Sequence, residues 1–276
     1  MYTNVVSKTL PQPRFSVVIP CYNEENYLGD TLASLKHQEF DGTFEIIVVD
    51  NNCSDSSQAI ALEHRARVIS EKRPGVCWAR QAGTEAARGE IVISTDADTV
   101  FTSCWLTKLD KTFKRNENYI AVGGPCIYRS GPFWGKAYPK ILFGAVYGYS
   151  KLFGHPFYIT ATNIAFKKSA WKGYDVNTPQ GGDELALLRQ LKKEGKVAFV
   201  MNNPVYTSAR RLKRGLFYNI FVTLFYYYIC GYYLDRIFKR TVIGPAPAYR
   251  FSIDEEAPAK NLRLRHRVSM AGKAND

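Results

Sequence analysis

What this chain of 276 residues lacks narrows its function first. No Gly-x-Gly-x-x-Gly follows the first apolar run, and no Gly-x-x-x-x-Gly-Lys-Ser/Thr occurs. The first absence argues against a dinucleotide-binding dehydrogenase and the second against a P-loop NTPase, since both need those glycines to bring backbone onto phosphate. Six cysteines, Cys21, Cys53, Cys77, Cys104, Cys126 and Cys230, show no Cys-x-x-Cys spacing. They read as scattered reduced thiols in cytosol, not as a zinc or disulfide framework. No apolar stretch precedes the strand that starts near Phe15, so no signal peptide is expected. Acids are outnumbered, 25 against 37 Lys and Arg, which leaves a net charge of +12 and a pI near 9.4. Such a balance favours anionic partners: lipid headgroups, diphosphates or nucleic acid. No repeat stands out beyond an alternation of strands and helices, and the length suits one large domain or one domain plus appendages.

That alternation is the first thing present. Phe15 to Pro20 reads as a buried strand, and Leu28, Leu32 and Leu35 recur at helical spacing. Phe44 to Asp50 is a second strand, followed by a Ser/Asp-rich cap and a helix through about Arg65. Arg67 to Ser70 makes a short third strand, Ala79, Ala82 and Ala86 mark one face of the next helix, and Glu90 to Thr95 is the fourth strand. Ser103 is placed to cap a helix carrying Leu106, Leu109 and Phe113, and Tyr119 to Gly123 follows as a strand. The pattern predicts an α/β fold with a mostly parallel sheet flanked by helices, whose ligands sit beyond the carboxyl ends of the strands.

Polar, carboxylate-bearing clusters lie at three of those ends: Cys21-Tyr22-Asn23-Glu24-Glu25, Asp50-Asn51-Asn52-Cys53-Ser54-Asp55, and Asp96-Ala97-Asp98. Ser54 and Asp55 are in part explained as helix caps; three clusters on one edge are not. Asp96 and Asp98 are i and i+2 and so point the same way from an extended segment. Two like charges aimed at one spot call for a cation, and hard oxygen ligands suit Mg²⁺ or Mn²⁺ holding phosphate oxygens.

Val17 to Glu25, Ile47 to Asp55, and Arg80-Gln81-Ala82-Gly83 with Asp96-Ala97-Asp98 together resemble the GT-A-fold family 2 glycosyltransferases over roughly residues 14 to 212. The resemblance implies a nucleotide-diphospho-sugar donor, a divalent metal and inversion at the anomeric carbon. It implies a ribose contact for Asp96 and a metal contact for Asp98. The residue chemistry agrees. Asp50 can accept from a base N–H such as uracil offers, Tyr22 can lie against base or ribose, and Pro20 fixes the loop. Glu24 and Asn52 add polar contacts on the donor side, Arg80 can meet the diphosphate, and Arg73 is a second candidate for that role.

The second half supplies the acceptor side. Gly181-Gly182-Asp183-Glu184 opens a helix with two acids in its first turn, which the helix dipole alone would favour. The family places its general base in such an acidic pair; the order Gly-Asp-Glu here, against a frequent Gly-Glu-Asp, leaves two candidates. Asp183 is preferred and Glu184 is the second choice. A base is needed when a sugar hydroxyl attacks and contributes ~10²–10⁴-fold, whereas an already ionised phosphate acceptor needs none. Thr160 to Phe166 resembles the family's acceptor-pocket segment, in which Asn163 could bond a sugar hydroxyl or cap a turn. Thr207 to Arg211 resembles a basic segment after the last strand, so Arg210 and Arg211 are assigned to the diphosphate or to anionic lipid.

Residues 216 to 234 carry no charge and are flanked by Arg210, Arg211, Lys213 and Arg214 on one side and Asp235, Arg236, Lys239 and Arg240 on the other. With a rough polar stripe and a length just short of the ~20 apolar residues of a span, they read first as an interfacial helix, then as a buried helix or dimer face, and last as a true span. The aromatic segment 133 to 158 joins the same surface or lines the acceptor groove. The expected organisation is a GT-A domain at 1–212, an aromatic, basic-flanked and membrane-associating helical segment at 213–250, and a disordered basic tail at 251–276. The expected function is inverting transfer of a UDP-linked sugar to a saccharide or lipid-linked hydroxyl at the inner face of the cell membrane, with Mg²⁺ or Mn²⁺. Transfer to a polyprenyl phosphate carrier is the nearest rival. A nucleic-acid-binding protein is the remote one, since the acidic cleft would repel phosphate backbones.

Overall fold

The computed structural model describes residues 12–176 and 182–215, together with residues 217, 218, 221, 226, 230 and 234. In chain order the elements are β1 (Phe15–Cys21), α1 (Leu28–Lys36), β2 (Phe44–Asp50), α2 (Ser57–Glu63), β3 (Arg67–Ser70), α3 (Val76–Ala86), β4 (Ile91–Ser94) and β5 (Thr99–Val100). Then come α4 (Trp105–Arg115), β6 (Tyr119–Gly123), β7 (Cys126–Tyr128), α5 (Phe133–Phe153), β8 (Ile164–Lys167), α6 (Gly182–Glu194), β9 (Lys196–Phe199) and β10 (Val205–Thr207).

Seven strands form the central sheet in the order β3-β2-β1-β4-β8-β6-β9. Strands β3, β2, β1 and β4 are mutually parallel, as are β6 and β9, while β8 runs antiparallel to both β4 and β6. The sheet is buried on both faces because its strands are apolar on both sides. Phe15, Val17, Ile19, Ile91 and Ile93 point to one layer, where Leu28, Leu32 and Leu35 of α1 and Leu106, Leu109 and Phe113 of α4 cover them. Val18, Ile47, Val49 and Val92 point to the other, under Ala79 of α3 and Leu187, Leu188 and Leu191 of α6.

Two sequence expectations change here. Ser103 is not a cap: α4 follows Cys104 with no side-chain cap bond, and the Ser103 carbonyl accepts from Glu39 N–H at 2.7 Å instead. A second sheet, β5-β10-β7, was not anticipated, and it lies next to the Asp-x-Asp segment. Pro20 sits within β1, opposite Val49. The β1–β4 pairing ends at Val18 and Ser94, so no β4 carbonyl is left waiting for the N–H that Pro20 lacks.

Helix α3 is seated on the sheet through Gly83. A Cβ at that position would stand 2.3 Å from Val18 Cγ1 and 2.9 Å from Val49 Cγ2, both held by the strands beneath. Gly83→Ala is therefore expected to lower unfolding free energy by about 1–3 kcal/mol despite its better helix propensity, as overpacking does. Urea titration checks this; a variant as stable as the parent would show that α3 does not rest on Gly83.

Helix α5 lies outside the main layers. It buries Gly135, Pro139, Phe143 and Val146, and leaves Phe133, Tyr138, Ile141, Leu152 and Phe153 exposed. Among the described residues, no helix is long and apolar enough to cross a membrane. Most of 216–234 and all of 235–276 lie outside the described residues, and with them the expected interfacial helix and tail.

Candidate active site

The three polar clusters meet because β1, β2 and β4 are parallel neighbours. Cys21 is in register with Asp50 and Val18 with Ser94, so the three chains leave the sheet on one edge. The first two clusters are laced together. Asn23, at φ 53°, accepts from Ser54 N–H at 2.7 Å, and Glu24 N–H donates to Ser57 Oγ at 2.8 Å. Asp55 accepts from Glu25 N–H at 3.1 Å and from Ser57 N–H, the first residue of α2, at 3.0 Å. Burial works to raise its pKa, and the hydrogen bonds from Ser57 and Glu25 outweigh it and bring the carboxyl below its ordinary value.

Asp50 is buried and holds the turn after β2 by accepting from Cys53 N–H at 2.8 Å. Tyr22 follows Cys21, the register partner of Asp50, and has about half its surface exposed, 47%. Asn51 crosses to the next loop, donating to the Glu71 and Arg73 carbonyls at 2.8 Å each and accepting from Gly75 N–H at 2.9 Å. Asn52 leans on the same loop, donating to the Lys72 carbonyl at 3.2 Å. Arg73 is committed there. It chelates Glu71 at 2.9 and 2.7 Å and lies 3.6 Å over the Trp78 ring. The Arg73 side chain in turn holds the Glu71 carboxyl down at about 2.

The Asp-x-Asp pair is better furnished than the sequence suggested. Asp96 meets Arg80 Nη2 at 3.1 Å and accepts from Thr162 Oγ1 at 2.6 Å. Asp98 accepts from Thr207 Oγ1 at 2.9 Å and meets Arg210 Nη2 at 3.1 Å. A guanidinium thus stands against each acid, Arg80 at Asp96 and Arg210, shared with Glu24, at Asp98, so the repulsion between the two carboxylates does not by itself call for a cation. Arg210 also chelates Glu24 at 2.6 and 2.7 Å and packs 4.8 Å over the Tyr27 ring. It bridges the first cluster to the third with its side chain 14% exposed; the side chain of Arg211 lies outside the described residues.

Helix α6 brings a further acid to the same edge. Glu184 accepts from Ala161 N–H at 2.8 Å and Tyr158 O–H at 3.0 Å. The same short turn, 161–163, carries Thr162, so one turn joins Glu184 to Asp96. The Cys126 thiol registers the convergence: burial, then the charges of Asp96, Asp98 and Glu184, push it up. Asp183 is in the first turn of α6, and its side chain lies outside the described residues.

Asn163 is a correction. It is 2% exposed, donates to the Pro125 and Asn203 carbonyls at 3.0 Å each, and accepts from Trp105 Nε1 at 3.2 Å. Its two amide protons are used, and it fastens α4 to the loops of the second sheet instead of meeting an acceptor. Thr162 and Thr207, which the sequence reading passed over, are the side chains that orient the two aspartates.

Asp96 and Asp98 offer hard oxygens and stand at the phosphate edge of an α/β sheet. Mg²⁺ takes one or two carboxylates and completes its shell with phosphate oxygens and water, so the donor set fits such a cation bound together with a diphosphate. Among the described residues no group of three or more His, Cys, Asp and Glu forms a cage by itself.

Residues 16–174 match the family model described as Glycosyl transferase family 2. An uncharacterised glycosyltransferase of Bacillus subtilis, YfnE, is 33% identical over 114 residues, covering 39% of this chain and 29% of that protein. The glucosyl-dolichyl phosphate glucuronosyltransferase of Haloferax volcanii is 24% identical over 188 residues, 62% of this chain and 59% of the other. The chain thus spans less than two thirds of either relative. Among solved structures, a mannosyltransferase from Pyrobaculum calidifontis in complex with GDP-Man and Mn2+ superposes with a TM-score of 0.60 at 20% identity, over 71% of this chain and 57% of that one. For S. aureus TarS in complex with UDP-GlcNAc the TM-score is 0.55 at 16% identity, over 71% and 58%. Glucosyl-3-phosphoglycerate synthase from Mycobacterium tuberculosis, with Mn2+, UDP-Glc and phosphoglyceric acid, gives 0.53 at 23%, over 73% and 74%. These likenesses establish a shared fold.

Proposed function

Because the chain belongs to glycosyl transferase family 2, we propose that it transfers a sugar, with inversion, from a UDP-linked donor to a hydroxyl of a saccharide or lipid-linked acceptor. The observation that carries this reading is the meeting of Asp50, Asp96 and Asp98 on one sheet edge with the acid-bearing start of α6 behind them. Asp50 accepts from the base and Tyr22 covers it. Glu24 reaches the donor through its pairing with Arg210, and Asn52 through the loop it holds. Asp96 faces the ribose and Arg80 the diphosphate. Asp98, with Asp96, holds Mg²⁺ or Mn²⁺, which when bound supplies positive charge against the diphosphate leaving group. An acid of the Asp183–Glu184 pair takes the acceptor proton as the new bond forms. Calorimetry with a panel of nucleoside diphosphates tests the donor side. UDP is expected to bind most tightly, and a chain that binds none of them defeats the reading.

The lipid-linked form of the acceptor draws support from α5. Its exposed Phe133, Ile141 and Leu152 stand on a helix whose exposed charges are Lys136, Lys140 and Lys151, with no acid anywhere in its length. Apolar side chains among lysines suit the headgroup region of an anionic membrane, at ~1 kcal/mol per basic residue near the surface. The name of the Haloferax volcanii relative points to a lipid-linked substrate as well. Replacing the three lysines with Gln is expected to reduce co-sedimentation with anionic liposomes and to leave neutral ones unaffected. A parent chain that stays in the supernatant with anionic liposomes would remove membrane association from the account.

A further inference from the structure

The sequence reads Cys21 and Cys53 as scattered thiols, yet the fold brings them together. Cys21 ends β1 and Cys53 lies just after β2, and their sulfurs are 3.8 Å apart. We propose that Cys21 and Cys53 are an oxidisable dithiol, whose closure to a disulfide deforms the Asp50 turn and switches off donor binding.

The geometry assigns the two sulfurs different parts. Cys53 is half-buried and can meet a small oxidant, while Cys21, 1% exposed, waits behind it. Asn23 N–H donates to Cys53 Sγ at 3.3 Å, an arrangement that favours the thiolate. The contact with the Cys21 sulfur, then the hydrogen bond from Asn23 N–H, brings the Cys53 thiol below its ordinary value against the opposing effects of burial and Asp50. A peroxide supplies the oxidising equivalents. The Cys53 thiolate attacks one peroxide oxygen, the O–O bond breaks, and Cys53 becomes a sulfenic acid as the other oxygen leaves as hydroxide, which takes up the proton the Cys53 thiol had lost and becomes water. The Cys21 sulfur then attacks the Cys53 sulfur. An S–S bond forms, the S–O bond breaks, and the hydroxyl leaves with the Cys21 proton as a second water. Two thiols are oxidised by two electrons and one peroxide is reduced. A thiol reductant reverses the bond by exchange.

Closure must shorten the sulfur separation from 3.8 Å to ~2.05 Å. The turn that moves is the one in which Cys53 N–H holds Asp50 at 2.8 Å, and the Asn23 N–H bond to the sulfur breaks. The consequence for the donor rests on the function proposed above; the disulfide does not.

The full chain, treated with a small excess of hydrogen peroxide, is quenched with N-ethylmaleimide and digested without reductant. Mass spectrometry should find the Cys21 and Cys53 peptides joined and, after dithiothreitol, separate. Cys53→Ser should abolish the link, and Cys104→Ser, away from the pair, should leave it intact. Cys53 recovered as sulfinic acid beside a free Cys21, or either residue joined to another cysteine, would overturn the dithiol. In the joined form UDP should bind about tenfold more weakly or worse, a loss of 1.4 kcal/mol per factor of ten, and recover on reduction. Equal affinity in both forms would overturn the switch. A reduced chain that binds no UDP would refute the donor reading instead, and the peptide linkage would still decide whether the dithiol exists.

Discussion

Asp183→Asn is expected to cut glycosyl transfer by about 10²-fold or more while leaving UDP affinity close to that of the parent, because the amide keeps the shape of the side chain and cannot accept a proton. The choice between the two acids turns on what Glu184 already does. Its carboxylate accepts from Ala161 N–H and Tyr158 O–H, at 2.8 and 3.0 Å. Hydrogen bonds to a carboxylate favour its charged form and make it a poorer base. Glu184 is thereby fitted to hold the turn that carries Thr162, and through Thr162 to orient Asp96. Glu184→Gln keeps an oxygen for Ala161 and is expected to cost far less than Asp183→Asn. Steady-state rates for both variants, with UDP affinity measured beside them, check this. If Glu184→Gln is the inactive variant, Glu184 is the base. If both stay active, no base is needed, the acceptor is an ionised phosphate, and transfer to a polyprenyl phosphate becomes the better account.

The second large effect is expected at Asp98. The parent chain should bind UDP much more tightly with Mn²⁺ than with EDTA, and Asp98→Ala should erase that difference. Asp98 sits between Thr207 Oγ1 and Arg210 Nη2, so its loss leaves Arg210 paired with Glu24 and the fold in place. Circular dichroism should confirm this. Calorimetric curves for the parent that coincide in Mn²⁺ and EDTA would remove the metal role from Asp98.

Much of the carboxyl edge of the sheet was legible in the sequence. Parallel buried strands are continuous apolar runs, so Phe15 to Pro20, Phe44 to Asp50 and Ile91 to Ser94 announce themselves, and the polar clusters at their ends are placed by parallel pairing alone. The helices beneath are legible through spacing, as in Leu28, Leu32 and Leu35. What could not be read is what depends on distant pairing. Strands β5, β7 and β10 are two or three residues long, too short for any period to show. Thr207 reaches Asp98 across 109 residues of sequence and Arg210 reaches Glu24 across 186. Nothing local distinguishes that arginine from its basic neighbours. Asn163 misled for the same reason: an asparagine in a polar turn looks available, and only the approach of Trp105 and Asn203 shows it to be spent. The meeting of Cys21 and Cys53 follows from the register of β1 and β2, and a search for Cys-x-x-Cys spacing is blind to it.

The central claim is that this cleft activates the anomeric carbon of a nucleotide sugar for inverting transfer, and slow hydrolysis tests it without knowledge of the acceptor. The chain is incubated with a panel of α-linked UDP-sugars in Mg²⁺, Mn²⁺ or EDTA, and the released sugar is observed by proton NMR before it mutarotates. The account predicts that at least one donor yields UDP and free sugar, in metal and not in EDTA, with the β anomer appearing first. A panel returned intact under all three conditions, or an α anomer appearing first, would contradict it.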